Sequence, residues 1–110
     1  NENCVVYTGT HDNNTVLGWY QNASAKDRKN LKQYIGNLDD GVVKSMIRLA
    51  WASVADMAII PLQDLLELDE DARMNMPGTI DKNWLWKFRP KDLTHAHAEW
   101  LRKLTETYGR

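Results

Sequence analysis

Val5-Val6-Tyr7-Thr8-Gly9-Thr10-His11-Asp12-Asn13 is the stretch on which the fold turns. A short apolar run, with Cys4 to Tyr7 as its strand, ends at a glycine. An imidazole and a carboxylate follow, and then a helical pattern from Thr15 to Gln21 carrying Val16, Leu17, Trp19 and Tyr20. A strand that yields to a helix through polar residues is the repeating unit of α/β folds. In barrels of alternating strands and helices, ligand chemistry collects at that C-terminal strand edge. A local reading competes with this one, because Asp12 or Asn13 could simply cap the helix by accepting from its first free N–H groups.

Outward from this point, Ser24-Ala25-Lys26-Asp27 resembles a capping box with Asp in place of Glu. The helix it opens places Leu31, Tyr34 and Ile35 on one face, and Gly36 ends it. A further helix is expected from Asp39 or Asp40 to Ala55, with Val43, Met46, Ile47, Ala50 and Val54 at helical spacing. Met57-Ala58-Ile59-Ile60 is apolar on both faces, as a buried parallel strand would be, and Pro61 stops it. Leu62 to Leu66 fits one helical turn, with Asp64 a few residues beyond the strand end. From Glu67 to Phe88 no long periodic element occurs. Asp69-Glu70-Asp71 reads as a helix start or solvated face, Pro77-Gly78 as a turn, and Asn83-Trp84-Leu85-Trp86 as an extended piece with both indoles on one side. Thr94 to Tyr108 forms a terminal helix with the stripe His97, Trp100, Leu101, Leu104 and Tyr108, closed by Gly109.

Composition narrows the function. The chain has 110 residues, a single domain's length, and a formal net charge of -1, so it offers no electrostatic case for nucleic acid. No apolar run approaches the roughly 20 residues needed to cross a bilayer. The start, Asn1-Glu2-Asn3-Cys4, has no charged n-region and no apolar h-region. It also lacks methionine, which leads us to expect a piece of a longer chain. Cys4 is the single cysteine, so no internal disulfide or cysteine zinc site can form, and a reducing compartment fits. Five tryptophans suit a core or sugar stacking equally.

Other candidates fall to simpler readings. On a helix, His95 and His97 point about 200° apart, whereas helical metal pairs want a spacing of four; His97 reads as a core-edge residue. Asn13-Asn14-Thr15 and Asn22-Ala23-Ser24 match a glycosylation sequon that is frequent by chance. No serine or cysteine has a base partner nearby. What remains is His11-Asp12, with Asn75 and the Trp84/Trp86 loop. In glycoside chemistry, a carboxylate beside the acid and the nucleophile can grip sugar hydroxyls more firmly as the ring flattens, and Asp12 fits that third role.

On these motifs the chain resembles the 4-alpha-glucanotransferases, the amylomaltase or disproportionating-enzyme family. The resemblance starts with Gly9-Thr10-His11-Asp12-Asn13 and continues through Ser53-Val54-Ala55-Asp56, Ile60-Pro61-Leu62-Gln63-Asp64 and Ala72-Arg73-Met74-Asn75. Pro77-Gly78-Thr79, Asn83-Trp84-Leu85-Trp86 and the helix to Tyr108-Gly109-Arg110 complete it. Two positions depart: Lys82 stands where glycine is usual and Lys87 where arginine is usual.

The resemblance implies an α/β fold, the C-terminal portion of a (β/α)8 barrel with its last two strands and surrounding helices, helix-rich when isolated. It implies one segment over residues 1–110 without an internal boundary. Asp12 would be the catalytic transition-state stabiliser, with His11 and Asn75 binding substrate. The nucleophilic aspartate and acid/base glutamate would lie on earlier strands outside this chain, which alone should be inactive. The implied reaction is retaining transfer of α-1,4-glucan segments, with no cofactor and no metal. The implied partners are maltooligosaccharides and the remainder of the barrel, with no nucleic acid and no membrane. The cytoplasm is the expected compartment, or a plastid if the parent is a plant enzyme. The alternative is a non-catalytic helical module that uses Trp84 and Trp86 to bind glucan or another subunit.

Overall fold

A computed structural model of the chain describes residues 3–110. Two three-residue strands, β1 (Val5–Tyr7) and β2 (Met57–Ile59), pair in parallel with Val5 opposite Met57, Val6 opposite Ala58 and Tyr7 opposite Ile59. Parallel strands cannot be joined by a tight turn. Here the crossover carries α1 (Val16–Asn22), α2 (Ala25–Ile35) and α3 (Val42–Ala52). After β2 come a single turn, α4 (Leu62–Leu65), short 3₁₀ turns at Glu70–Ala72 and Pro90–Asp92, and the terminal helix α5 (His95–Thr107).

The core forms around α3, whose apolar side chains recur every three or four residues and so share a face. Val42, Val43, Ile47, Ala50 and Trp51 are buried there against Val16 of α1 and Leu104 of α5. Val6, Ala58 and Ile60 bring the sheet's inner side to the same cluster. Trp51 satisfies its indole N–H by donating to Thr105 Oγ1 at 3.0 Å, so the buried ring leaves no polar atom unpaired. Arg110 then closes the α3 C-terminus, donating from Nε to the Trp51 carbonyl and from Nη2 to the Ser53 carbonyl, each at 2.8 Å. Those carbonyls lie at a helix end, where no intrahelical donor reaches them.

Five expectations change. First, α3 starts at Val42 and stops at Ala52, because Gly41 enters at φ 91 and Ser53 leaves the helix as its C-cap. Val54, outside the helix, is 72% exposed rather than part of the stripe. Second, Ser24 caps α2 by accepting from Asp27 N, and Gly36 ends it at φ 85, as its sequence indicates. No α2 residue is buried, however, and Tyr34 is 80% exposed. Its stripe meets the core only through Leu31.

Third, β2 is not covered on both faces. Met57 and Ile59, like Val5 and Tyr7 beside them, are exposed, because a two-stranded sheet among the described residues has nothing on its outer face. Fourth, Thr15 caps α1, accepting from Gly18 N at 3.0 Å; neither Asp12 nor Asn13 nor Asn14 does so. Fifth, on α5, Trp100, Leu101 and Leu104 face the core, while Tyr108 lies past the helix and is exposed.

Candidate active site

Both strands run the same way, so the segments that follow them emerge on one side of the sheet. The turn after β1 is built locally. Asn13 Oδ1 accepts from Thr10 N at 2.8 Å and from Thr10 Oγ1 at 3.0 Å, and Asn13 N donates back to the Thr10 carbonyl. This Asx-type bonding occupies Asn13 and leaves the His11 and Asp12 side chains projecting half-exposed, with Nε2 and Oδ2 3.4 Å apart.

A segment sixty residues later completes the cluster. Asn75 Nδ2 donates to Asp12 Oδ1 at 2.7 Å, and Asn75 N donates to the His11 carbonyl at 3.1 Å. Arg73 spans both pieces, donating from Nη2 to the Asp12 carbonyl at 2.8 Å and from Nε to the Asn75 carbonyl at 2.9 Å. Trp84 lies on the other side, its ring centroid 5.3 Å from the His11 imidazole, with its backbone N–H donating to the Met74 carbonyl.

The loop between these contacts is held by Asn83, which accepts from Met76 N and donates to Thr79. Gly78 makes the expected turn at φ 85. Lys82 and Trp84 both adopt left-handed backbone, at φ 62 and φ 61. That conformation is unfavourable for a residue with a Cβ, which gives a physical reason for glycine at position 82.

Three sequence expectations, His11, Asp12 and Asn75, therefore meet in space. The paired indoles do not. The left-handed turn at Trp84 breaks the extended run, so Trp84 goes to His11 while Trp86 stacks with Phe88 at 6.5 Å. The common indole face expected of a tryptophan-based module is absent. His95 and His97 likewise do not form a pair: His97 Nδ1 accepts from Thr94 N at 3.0 Å and helps cap α5. Among the described residues, no three His, Cys, Asp or Glu side chains are grouped to hold a metal ion.

Two members of the site were not legible as such. Arg73 is one. The other is Asp64, fully buried on α4, which accepts from Thr8 Oγ1 at 2.8 Å and from Val16 N at 2.9 Å. Burial pushes its carboxyl pKa up, against the lowering effect of those two donors. The signal for Asp64 was a carboxylate flanked by leucines in Leu62-Gln63-Asp64-Leu65-Leu66, since an acid in an apolar run must be paired if it is buried. An open cleft of about 540 Å³ runs along these strand ends, lined among others by Tyr7, His11, Ile59, Gln63, Arg73 and Met74.

Chemically, Asp12 offers one oxygen already held by an amide and a second beside the His11 imidazole, against which the Trp84 indole packs. Such a group can accept from a hydroxyl and can stabilise positive charge nearby. Parallel strands with polar residues gathered beyond their carboxyl ends define the chain as an α/β protein of the kind that binds ligands at that edge.

The chain belongs to the 4-alpha-glucanotransferase family, whose family model matches residues 1–94. It is similar to the 4-alpha-glucanotransferase of Synechocystis sp., 49% identical over 111 residues, covering 100% of this chain and 22% of that protein. The chloroplastic/amyloplastic 4-alpha-glucanotransferase of Solanum tuberosum is 42% identical over 113 residues, covering 99% and 20%. Among solved structures, the amylomaltase from Streptococcus agalactiae in complex with acarbose superposes with a TM-score of 0.93 at 35% identity, covering 100% of this chain and 22% of that one. The chain thus spans about a fifth of the length of these relatives.

Proposed function

We propose that this chain is the C-terminal part of the catalytic barrel of a 4-alpha-glucanotransferase, contributing its last two strands as one undivided segment. One observation carries the reading: the Asn75 amide grips the Asp12 carboxylate at 2.7 Å across 63 positions of sequence, with His11 alongside. Asp12 is the transition-state stabiliser, and His11 and Asn75 bind the sugar being transferred. The acarbose in the Streptococcus agalactiae complex is in keeping with a glucan substrate.

The reaction is a retaining double displacement. A carboxylate nucleophile displaces the leaving glucan, which takes a proton from the general acid; an acceptor sugar hydroxyl then attacks the glycosyl-enzyme and gives its proton back. The nucleophile and the acid/base group belong to the part of the barrel outside these 110 residues, and the isolated chain is inactive. Asp12 works between those steps. As the sugar ring gains oxocarbenium character, its hydroxyls become better donors, and a carboxylate already oriented by Asn75 meets them without reorganising.

The substrates are maltooligosaccharides, and no cofactor takes part. Among the described residues, no helix is long and apolar enough to cross a membrane. The cytoplasm is the proposed compartment, or a plastid as for the potato relative.

The test is Asp12→Asn in the full-length enzyme, with glucose release from maltotriose as the readout. We expect kcat to fall about 10²–10³-fold, the scale of losing one preorganised electrostatic group. Near-normal turnover would remove Asp12 from the mechanism.

A further inference from the structure

The loop bearing His11 and Asp12 leaves β1 at Thr8 and enters α1 at Val16, and one buried side chain holds both of its ends. Thr8 Oγ1 donates to Asp64 Oδ2 at 2.8 Å, and Val16 N–H donates to Asp64 Oδ1 at 2.9 Å. Asp64 is 2% exposed and stands on α4, in the segment that follows β2. The second strand's connection therefore anchors the loop of the first. Each carboxylate oxygen takes one end, so the side chain sets the span that the intervening residues must bridge.

The middle of the loop is fixed from the opposite side. Arg73 Nη2 and Asn75 N donate to the carbonyls of Asp12 and His11. With its ends on Asp64 and its centre on the 73–75 segment, the backbone at Asp12 has little freedom to move relative to Asn75. We propose that Asp64 is a positioning residue for Asp12: by bridging Thr8 and Val16 it places the Asp12 carboxylate where the Asn75 amide and the reacting sugar meet it. This rests on the transition-state role given to Asp12 above.

A bridge that only stabilised the fold would have a different signature. Its loss would lower the melting temperature yet leave the turnover of folded molecules unchanged. Positioning is a matter of tenths of an ångström, and a displacement of about 1 Å can cost 10²-fold in rate.

In the full-length glucanotransferase, Asp64→Ala should lower kcat per folded enzyme roughly 10–100-fold, with KM for maltotriose changed less than about threefold. Asp64→Asn should recover most of that loss. Its Oδ1 can accept from Val16 N–H while its Nδ2 donates to the Thr8 hydroxyl, which also has lone pairs. Combined with Asp12→Ala, Asp64→Ala should add less than about a further twofold, because contacts acting through one group are non-additive.

Wild-type kcat in folded Asp64→Ala, beside a crippled Asp12→Ala, overturns the proposal alone; so does a loss that is fully additive with Asp12→Ala. A fully active Asp12→Ala overturns the role of Asp12 and this proposal with it. If Asp64→Ala yields no folded protein, Thr8→Val carries the test by removing one tie and keeping the volume. It should lower kcat about three- to tenfold, again only when Asp12 is present; an unchanged kcat overturns the proposal.

Discussion

His11 and His97 are embedded in polar clusters of opposite design. Around His11 a local Thr10–Asn13 turn is joined by long-range bonds: Asp12 meets Asn75 and Arg73 more than sixty residues away, and Asp64 reaches back 48 residues to Val16. Around His97 they are local, with Thr94 three residues off and the Arg89–Asp92 contacts just upstream. Local bonds start helices; they form whenever the helix forms, and they bring no distant group with them. Long-range bonds exist only when the strands pair and the connections pack. The difference teaches that a histidine beside polar neighbours says little about function until the sequence separation of its partners is known.

The sharpest way to break this contrast is at Asn75. Asn75→Ala removes the donor from a charged acceptor, a class of hydrogen bond worth about 1.5–3 kcal/mol. In the full-length enzyme we expect kcat/KM on maltotriose to fall at least about tenfold while the melting temperature moves little. Unchanged kcat/KM would demote the 2.7 Å bond to surface decoration.

At the other cluster the expectation inverts. His97→Ala takes away the acceptor for Thr94 N–H and should cost roughly 0.5–1 kcal/mol of stability, as capping losses do. Turnover per folded enzyme should not change; a slowed enzyme would mean that the local cluster also serves the site.

The smallest effect is a difference in sign under acid. Desolvation raises the pKa of Asp64, so the folded state binds protons more readily there than the unfolded chain. Its ionised form opposes folding, and stability from this group falls as pH rises from the ordinary carboxylate value near 4 through the raised one. Asp92 behaves oppositely. The Arg89 backbone N–H holds its pKa down, so its contribution is present above the ordinary value and lost as pH falls through the lowered one. Urea melts of Asp64→Asn and Asp92→Asn from pH 3 to 7 should therefore diverge from the parent in opposite directions. Parallel curves would contradict one of the two environments.

Much of this was legible in the residues themselves. The strand ending at Tyr7, the Ser24 cap, the stop at Gly36, the turn at Gly78 and the terminal helix are all encoded within a few positions. His11 and Asp12 could be singled out because they stand where a strand yields to a helix. Asn75 stood beside them as a candidate, but its substrate-binding role came through the resemblance to glucanotransferases, since nothing near it in sequence marks it as a partner of Asp12. Arg73 and Asp64 passed unnoticed in their roles, although both sit inside motifs that carried the family match. Boundaries failed where several nearby residues could start a helix, and exposure failed where packing decided. Gly41 rather than the aspartates began α3, Thr15 rather than Asp12 or Asn13 capped α1, and Tyr34 stayed in water.

Local propensity and period, acting over a few residues, were enough to mark the strands and main helices and to set an imidazole and a carboxylate at a strand end. It took the packed molecule to close Asn75 and Arg73 on Asp12, to part the two indoles, and to tie the loop with a buried Asp64. Those contacts join residues that share no local pattern, and packing alone brings them within hydrogen-bond reach.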